Sequence, residues 1–167
     1  MNNLSQLLPE VEKYVTVLLT NELPDGLVYH NIDHTRRVVK QSEIIGTHEN
    51  LSEEEMNIVK IAAWFHDVGY LKKYRGHEEV SIKFATDFLN GKGIDKEIVD
   101  RIVECIGSTV VPQFPKDKVS AVLCDADMMH MGMIKYSDII KKLRTEWKNM
   151  GVISLSKKKV KKTSIDT

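Results

Sequence analysis

The sequence contains little cysteine and little proline, with two cysteines and four prolines in 167 residues. Cys105 and Cys124 lie in separate segments that read as apolar helices, and no Cys-x-x-Cys pair is present. These features exclude a small disulfide-stabilised fold and a cysteine-based zinc knuckle. We therefore expect two buried free thiols in a reducing compartment.

The chain also lacks net charge, because Lys+Arg and Asp+Glu both number 24. It therefore has no overall field that would attract nucleic acid or an anionic membrane. No apolar run approaches the roughly 20 residues that span a bilayer. The first residues lack the basic and apolar regions of a secretory signal. These absences predict a cytoplasmic protein and argue against membrane and nucleic-acid partners.

One local charge excess remains near the end of the sequence. The segment from Lys157 to Lys162 contains five lysines. A run of like charge is typical of a solvated tail. We expect one domain over residues 1–155 and a lysine-rich tail over residues 156–167.

Apolar residues recur at three- and four-residue steps along most of the chain, which is the period of an amphipathic helix. Ser52 followed by Glu55 forms a capping-box pattern at the start of one stripe. We predict an all-α fold, a single compact domain of about six to seven helices. In the second helix we expect Ile44 and Ile45 to be among the residues that face the core. The predicted segments are about Leu4–Leu19, about Ile32–Gly46, Ser52 to His66-Asp67, about Glu78–Leu89, and three capped by Asp95, Asp117 and Ser137.

Three short segments place ionisable residues where a helical core normally excludes them: residues 29–37, 62–70 and 123–132. An unpaired charge inside such a core is costly, and a divalent cation is one economical way to satisfy several groups at once. For His66-Asp67 taken alone, a buried hydrogen-bonded pair is the simpler interpretation. Both side chains can reach one ion only where the helix ends, and Gly69 predicts such an end.

The ordered set His34, His66-Asp67 and Asp127 resembles the His…His-Asp…Asp order of HD-domain phosphohydrolases. The segment Tyr-His-Asn-x-x-His that ends at His34 also resembles the opening motif of cyclic-nucleotide phosphodiesterases. The resemblance is strongest to a bacterial group of predicted HD superfamily phosphohydrolases. That group shares Ala-Ala-Trp-Phe-His-Asp, then His-Glu-Glu-x-Ser, then Asp-Ala-Asp followed by Gly. The resemblance covers roughly residues 29–147 and implies an HD-type helical domain.

The resemblance implies that His34, His66, Asp67 and Asp127 bind a divalent metal ion. Two imidazoles and two carboxylates suit Mn²⁺, Ni²⁺, Fe²⁺, Co²⁺, Zn²⁺ or Mg²⁺. Asp125 is the alternative to Asp127 as the last ligand. HD-type di-iron oxygenases have two further histidines before the final Asp. Only one histidine lies in that interval here, so we expect one metal ion.

The resemblance also implies three catalytic residues. Asp67 would orient or deprotonate a water as well as bind the metal. His30 matches the histidine that protonates the leaving oxygen in the phosphodiesterases, with a supporting or surface role as its alternative. His77 would contact phosphate or a second ion, or would only cap the next helix. The remaining basic candidates for phosphate binding are Arg36, Arg37, Lys72, Lys73 and Arg75, although most such residues only form a solvated face. His48 and His130 are interpreted as non-functional.

The expected function is hydrolysis of a small-molecule phosphate ester, with a nucleotide as the expected substrate class. A non-catalytic regulatory module that binds metal and nucleotide, or an HD-type oxygenase, is the alternative. Similar proteins usually continue beyond the segment matched by Arg144 to Trp147 with one or two more helices. Here the lysine-rich tail follows instead, and if those helices close the site we expect low activity.

Overall fold

A computed structural model describes residues 4–132 and 136–152, all of whose regular structure is helical. The predicted lysine-rich tail lies outside the described residues. Two 3₁₀ turns, Val68–Leu71 and Met129–Gly132, follow the third and sixth α-helices. The seven α-helices are α1 Leu4–Asn21, α2 Ile32–His48, α3 Glu53–Phe65, α4 His77–Gly91, α5 Lys96–Gly107, α6 Lys118–Met128 and α7 Tyr136–Asn149.

The all-α prediction is confirmed, and several helix starts follow from local capping. The Ser52 side chain accepts from the Glu55 N–H, and the Glu55 carboxylate accepts from the Ser52 N–H, which completes the capping box. Asp117 likewise accepts from the N–H of Ser120 at the start of α6. The Asn31 side chain accepts from the N–H groups of Asp33 and His34 in the first turn of α2, which explains the Asn of the Tyr-His-Asn-x-x-His motif.

Three sequence predictions about helix detail are wrong. Asp95 precedes α5 but makes no side-chain capping hydrogen bond. Ser137 lies inside the first turn of α7, which begins one residue earlier. Ile44 was expected to face inward, yet it is 42% exposed. The inward positions of α2 at this level belong to Ser42 and Gly46, which continue the phase set by the buried residues before them.

The central element is α3, whose second half is buried on all sides. It packs against α1, α2, α5 and α6, and α2 also packs against α6. A helix that is apolar around its whole circumference belongs in a protein interior. Because α2, α3 and α6 meet there, polar residues at their facing ends are brought together.

Both cysteines are buried and free, as predicted. Among the described residues, no helix is both long and apolar enough to cross a membrane.

Candidate metal centre

Four side chains from three parts of the chain converge in the core. His34 lies in the first turn of α2, His66 and Asp67 directly follow α3, and Asp127 lies in the last turn of α6. His34 Nε2 is 3.3 Å from Asp67 Oδ2 and 3.2 Å from Asp127 Oδ1. His66 Nε2 is 3.2 Å and 3.7 Å from the same two oxygens. The ligand atoms of His34, His66 and Asp127 all lie within 4.8 Å of one another.

This spacing fits a divalent cation. Atoms that bind one cation at about 2.0–2.2 Å are separated from one another by roughly 3.0–3.5 Å. A charge-assisted hydrogen bond between imidazole and carboxylate would be shorter, about 2.7–2.9 Å. His34 Nε2, His66 Nε2 and Asp67 Oδ2 are buried and make no hydrogen bond to any described residue. Since buried polar atoms are normally satisfied, the donor set fits a cation better than a hydrogen-bonded His-Asp pair.

The hydrogen-bond partner of Nδ1 determines whether Nε2 of the same imidazole has a lone pair available for a metal ion. His66 Nδ1 is 2.7 Å from the carbonyl oxygen of Ala63, so Nδ1 carries a hydrogen and Nε2 faces the centre. His34 Nδ1 instead lies 3.1 Å from Nη2 of Arg37, a group that can only donate. A cation at His34 Nε2 would need a hydrogen on Nδ1, so such an ion and this Arg37 contact would exclude one another.

The electrostatics of the cluster favour ionised carboxylates. Burial by itself would lower the pKa of His66 and raise the pKa of Asp67, because it penalises the charged form. The attraction between them outweighs burial, so the pKa of His66 is raised and that of Asp67 is lowered, each well beyond its ordinary value. Burial is likewise outweighed at Asp127, where His34 and His66 lower the pKa of the carboxyl. Both acids are therefore available to a cation near neutral pH, in competition with the imidazole protons.

A tight junction between α3 and α4 holds Asp67 in place. The hydroxyl of Ser81 donates to the His66 carbonyl (2.7 Å) and accepts from the Gly69 N–H (2.8 Å), so it ties both sides of the turn to α4. A Cβ on Gly69 would lie 1.8 Å from the carbonyl oxygen of His77. The helix ends close to Gly69, as predicted, because α3 stops at Phe65, but the φ of Gly69 is not positive. Glycine is needed there for the close approach of α4.

His30 is held by a buried carboxylate that is distant in sequence but in direct contact with it. Glu146 of α7 is fully buried and accepts from the N–H groups of Tyr29 (2.8 Å) and His30 (2.9 Å) and from the Tyr74 hydroxyl (2.8 Å). The same carboxylate makes a short contact with His30 Nδ1. Burial alone would raise the pKa of Glu146, but hydrogen bonds with His30 hold it below the ordinary value. Only Nε2 of His30 is left to face a ligand.

His77, the first residue of α4, also lies at the centre. Its Nε2 is 3.3 Å from Asp67 Oδ1. His34 and His66 contact the other carboxylate oxygen, Oδ2. Its ring stacks on Tyr70 at 3.7 Å with an angle of 15° between the planes. No side-chain capping hydrogen bond is made at the start of α4. The alternative prediction, that His77 only caps the helix, is therefore wrong.

A cavity of about 340 Å³ adjoins these residues. Its polar side includes His30, Asp67, His77 and Asp127, together with three tyrosines. Burial raises the pKa of Tyr70 and of Tyr74 far above neutral, so these hydroxyls stay protonated. A second part of the lining is largely apolar, and we call it the apolar side: Met128, Met131, Tyr136, Ile140, Leu143 and Trp147.

Other residues singled out from the sequence lie elsewhere. Asp125 is exposed, unlike Asp127. His48 is exposed at the end of α2, and the His130 side chain lies outside what the structure describes. None of the five basic phosphate-binding candidates lines the cavity, because they are exposed or engaged elsewhere: Arg36 and Lys72 are exposed, Arg37 contacts His34, Lys73 pairs with Glu79, and Arg75 donates to the Val152 carbonyl.

Glu146 is the residue at this site to which sequence reasoning assigned no role. It lies three positions after Leu143 and directly before Trp147, inside the apolar stripe of α7. A carboxylate on an inward stripe is costly to bury without a partner. A carboxylate at an inward position therefore indicated in the sequence that Glu146 has a buried partner. The sequence did not indicate which residue that partner is.

A family model for the HD domain matches residues 31–132, which is more than half of the chain. The chain belongs to the HD domain family. This confirms the resemblance drawn from the motif order, and the matched range contains His34, His66, Asp67 and Asp127.

A solved structure of a predicted HD superfamily hydrolase from an uncultured Thermotogales bacterium has the same fold, with a TM-score of 0.66. The two chains are 19% identical over 96% of this chain and 92% of the other. At this identity the likeness supports the fold of the HD domain alone. No curated protein matches this chain significantly.

Proposed function

We propose that the protein is a metal-dependent phosphohydrolase that cleaves a phosphate ester of a nucleotide or a related small molecule. The proposal rests on one observation: the imidazole and carboxylate atoms of His34, His66, Asp67 and Asp127 converge without hydrogen-bond partners for three of them, beside a cavity. Membership of the HD domain family supports it.

These four residues would hold one divalent ion, with Mn²⁺, Ni²⁺, Fe²⁺, Co²⁺, Zn²⁺ and Mg²⁺ as candidates. Such an ion supplies Lewis acidity, which lowers the pKa of water towards neutrality and offsets charge on a phosphoryl group. Asp67 would orient or deprotonate the attacking water, since it lines the cavity and is ionised.

His30 would protonate the leaving oxygen of the ester. Its Nδ1 is engaged by Glu146, so the Nε2 atom is the ring nitrogen available to a substrate in the cavity. Glu146 is a positioning residue in this scheme because it fixes the ring through Nδ1. His77, stacked on Tyr70 beside Asp67, would contact the phosphoryl oxygens or a second ion.

The test compares metal binding and turnover in matched variants. We expect the wild type to bind a divalent ion and to release alcohol from phosphate esters with Mn²⁺ or Ni²⁺ supplied. His66→Ala should abolish both properties while helicity by circular dichroism is kept. His48→Ala removes an exposed histidine at the end of α2 and should change neither.

The alternatives predict different results. Nucleotide binding by calorimetry without hydrolysis under any metal would favour a regulatory module. A redox-active two-metal centre would favour an oxygenase. The absence of any divalent metal binding would contradict the proposed function.

A further inference from the structure

The cavity beside the candidate metal centre has two chemically different sides. The polar side carries the histidines and carboxylates, whereas the apolar side is formed by the end of α6, the 3₁₀ turn after it, and α7. Trp147, Ile140 and Leu143 lie one helical turn apart on α7, so they present one continuous apolar face. An ester bound with its phosphoryl group at the polar side would place its organic group on that face.

The apolar side suits a flat ring. Trp147 and Tyr136 offer ring faces and edges, on which planar groups pack favourably. Met128 and Met131 are flexible and polarisable, so they adapt to the outline of such a group. At about 340 Å³ the cavity is at the lower end of the roughly 300–1,000 Å³ typical of small-molecule sites. It has room for one compact ligand.

Charge around the cavity disfavours further anionic groups on the ligand. Three carboxylates, those of Asp67, Glu78 and Asp127, line it, and no lysine or arginine does so within the described part of the chain. Besides a divalent ion, the lining groups that can offset these charges are His30 and His77, and each already contacts a carboxylate, Glu146 or Asp67. Another phosphate or carboxylate on the organic group would therefore meet repulsion and an apolar wall that cannot solvate it.

We propose that the site selects an ester with one phosphoryl group joined to a flat, uncharged ring system, which packs on the face formed by Trp147, Ile140 and Leu143. This proposal rests on the function proposed above and adds the substrate class. Esters of small alcohols that carry no ring, and compounds with several phosphoryl groups, are the classes that it excludes.

Non-hydrolysable phosphonates test the proposal independently of turnover. In the Mn²⁺-loaded protein, phenylphosphonate should bind at least about tenfold more tightly than methylphosphonate, because burial of the ring adds apolar contact. The addition of a carboxylate in 4-carboxyphenylphosphonate should remove most of that gain. Equal affinities for phenyl- and methylphosphonate would overturn the proposal even if the protein hydrolyses esters.

Two pairs of variants locate the effect. Trp147→Ala should abolish the preference for the phenyl compound, and Trp147→Phe, which keeps a ring, should retain it. Met131→Lys should tighten binding of 4-carboxyphenylphosphonate by about tenfold, since it places a cation at the cavity. Met129→Lys is its matched control, because Met129 is equally exposed in the same turn (43% against 44%) but does not line the cavity.

The outcomes separate the two proposals. Ring-selective phosphonate binding without ester hydrolysis would contradict the proposed function and support the substrate class. Ester hydrolysis with no ring preference, or with no difference between Met131→Lys and Met129→Lys, would contradict the substrate class alone.

Discussion

Glu146 shows how one buried carboxylate can organise a site from a distance. Its two oxygens accept four hydrogen bonds, two from backbone N–H groups and two from side chains, so the cost of burying the charge is offset. The backbone contacts fix the position of residues 29 and 30, and the side-chain contact fixes the His30 ring. The orientation of the proposed acid therefore depends on α7.

At this scale we predict the effect of Glu146→Gln on catalysis. The amide still accepts from the backbone N–H groups of Tyr29 and His30, but its NH₂ group replaces one carboxylate oxygen, so the contact that orients the His30 ring through Nδ1 is altered. We expect kcat to fall by about 10- to 100-fold with little change in KM, which is less than the ~10²–10⁴-fold contribution of a general acid itself.

Steady-state kinetics and circular dichroism of wild type, Glu146→Gln and His30→Ala provide the measurement. His30→Ala should lose more activity than Glu146→Gln. An unchanged kcat in Glu146→Gln, or a fall in kcat accompanied by a loss of helicity, would contradict the positioning role.

The junction between α3 and α4 is the element on which the geometry of Asp67 depends. The chain leaves α3 at Phe65 and enters a 3₁₀ turn at Val68, so the directions of His66 and Asp67 are set outside the regular helix. Ser81 and Gly69 hold that turn against α4. This accounts for the position of the serine in the His-Glu-Glu-x-Ser segment.

Gly69→Ala should therefore destabilise the domain and disturb the site together. The new Cβ would meet the His77 carbonyl oxygen at 1.8 Å, so backbone must shift. We expect the free energy of unfolding in urea to fall by about 2–3 kcal/mol, as for overpacked cores, with weaker Mn²⁺ binding.

Gly91→Ala is the matched control at the other end of α4. A Cβ on Gly91 has no heavy atom within 4 Å. We expect it to leave Mn²⁺ binding unchanged and to stabilise the protein by up to about 1 kcal/mol. Equal unfolding free energies for the two variants would refute the proposed role of the junction.

Across the whole molecule, the proposed ligands join helices that are far apart in sequence. His34, His66-Asp67 and Asp127 come from α2, the end of α3 and α6, which pack on one another in the core. An ion bound between them would cross-link these helices in the folded state only. Its binding free energy would then add to the stability of the domain.

Mn²⁺ should accordingly raise the thermal unfolding temperature. At about 100 times the Kd the added stability is about 2.7 kcal/mol, or roughly 5–10 °C in Tm for a domain of this size. Asp127→Asn should lose most of this shift. Asp125→Asn, two residues away and exposed, should keep it. The reverse result, measured by scanning calorimetry with and without Mn²⁺, would make Asp125 the ligand.

Much of this protein can be predicted from its sequence because the signals are local. Helix period, the Ser52–Glu55 capping box and the turn residues act within a few positions, so they predict the seven helices and most of the core. The proposed ligands were found for a related reason, since each is a polar residue in an otherwise apolar segment and their order matches a family.

The tertiary structure alone decided which residues face one another. Glu146 and His30 are 116 residues apart, and the sequence around each residue does not indicate that the two are in contact. Helical period gives the phase of a side chain on its own helix but not the neighbour that the face meets. For that reason Ile44 was misplaced, and neither the position of the basic residues outside the cavity nor the apolar side of the cavity was foreseen. These features follow from helix packing, which depends on contacts between distant segments.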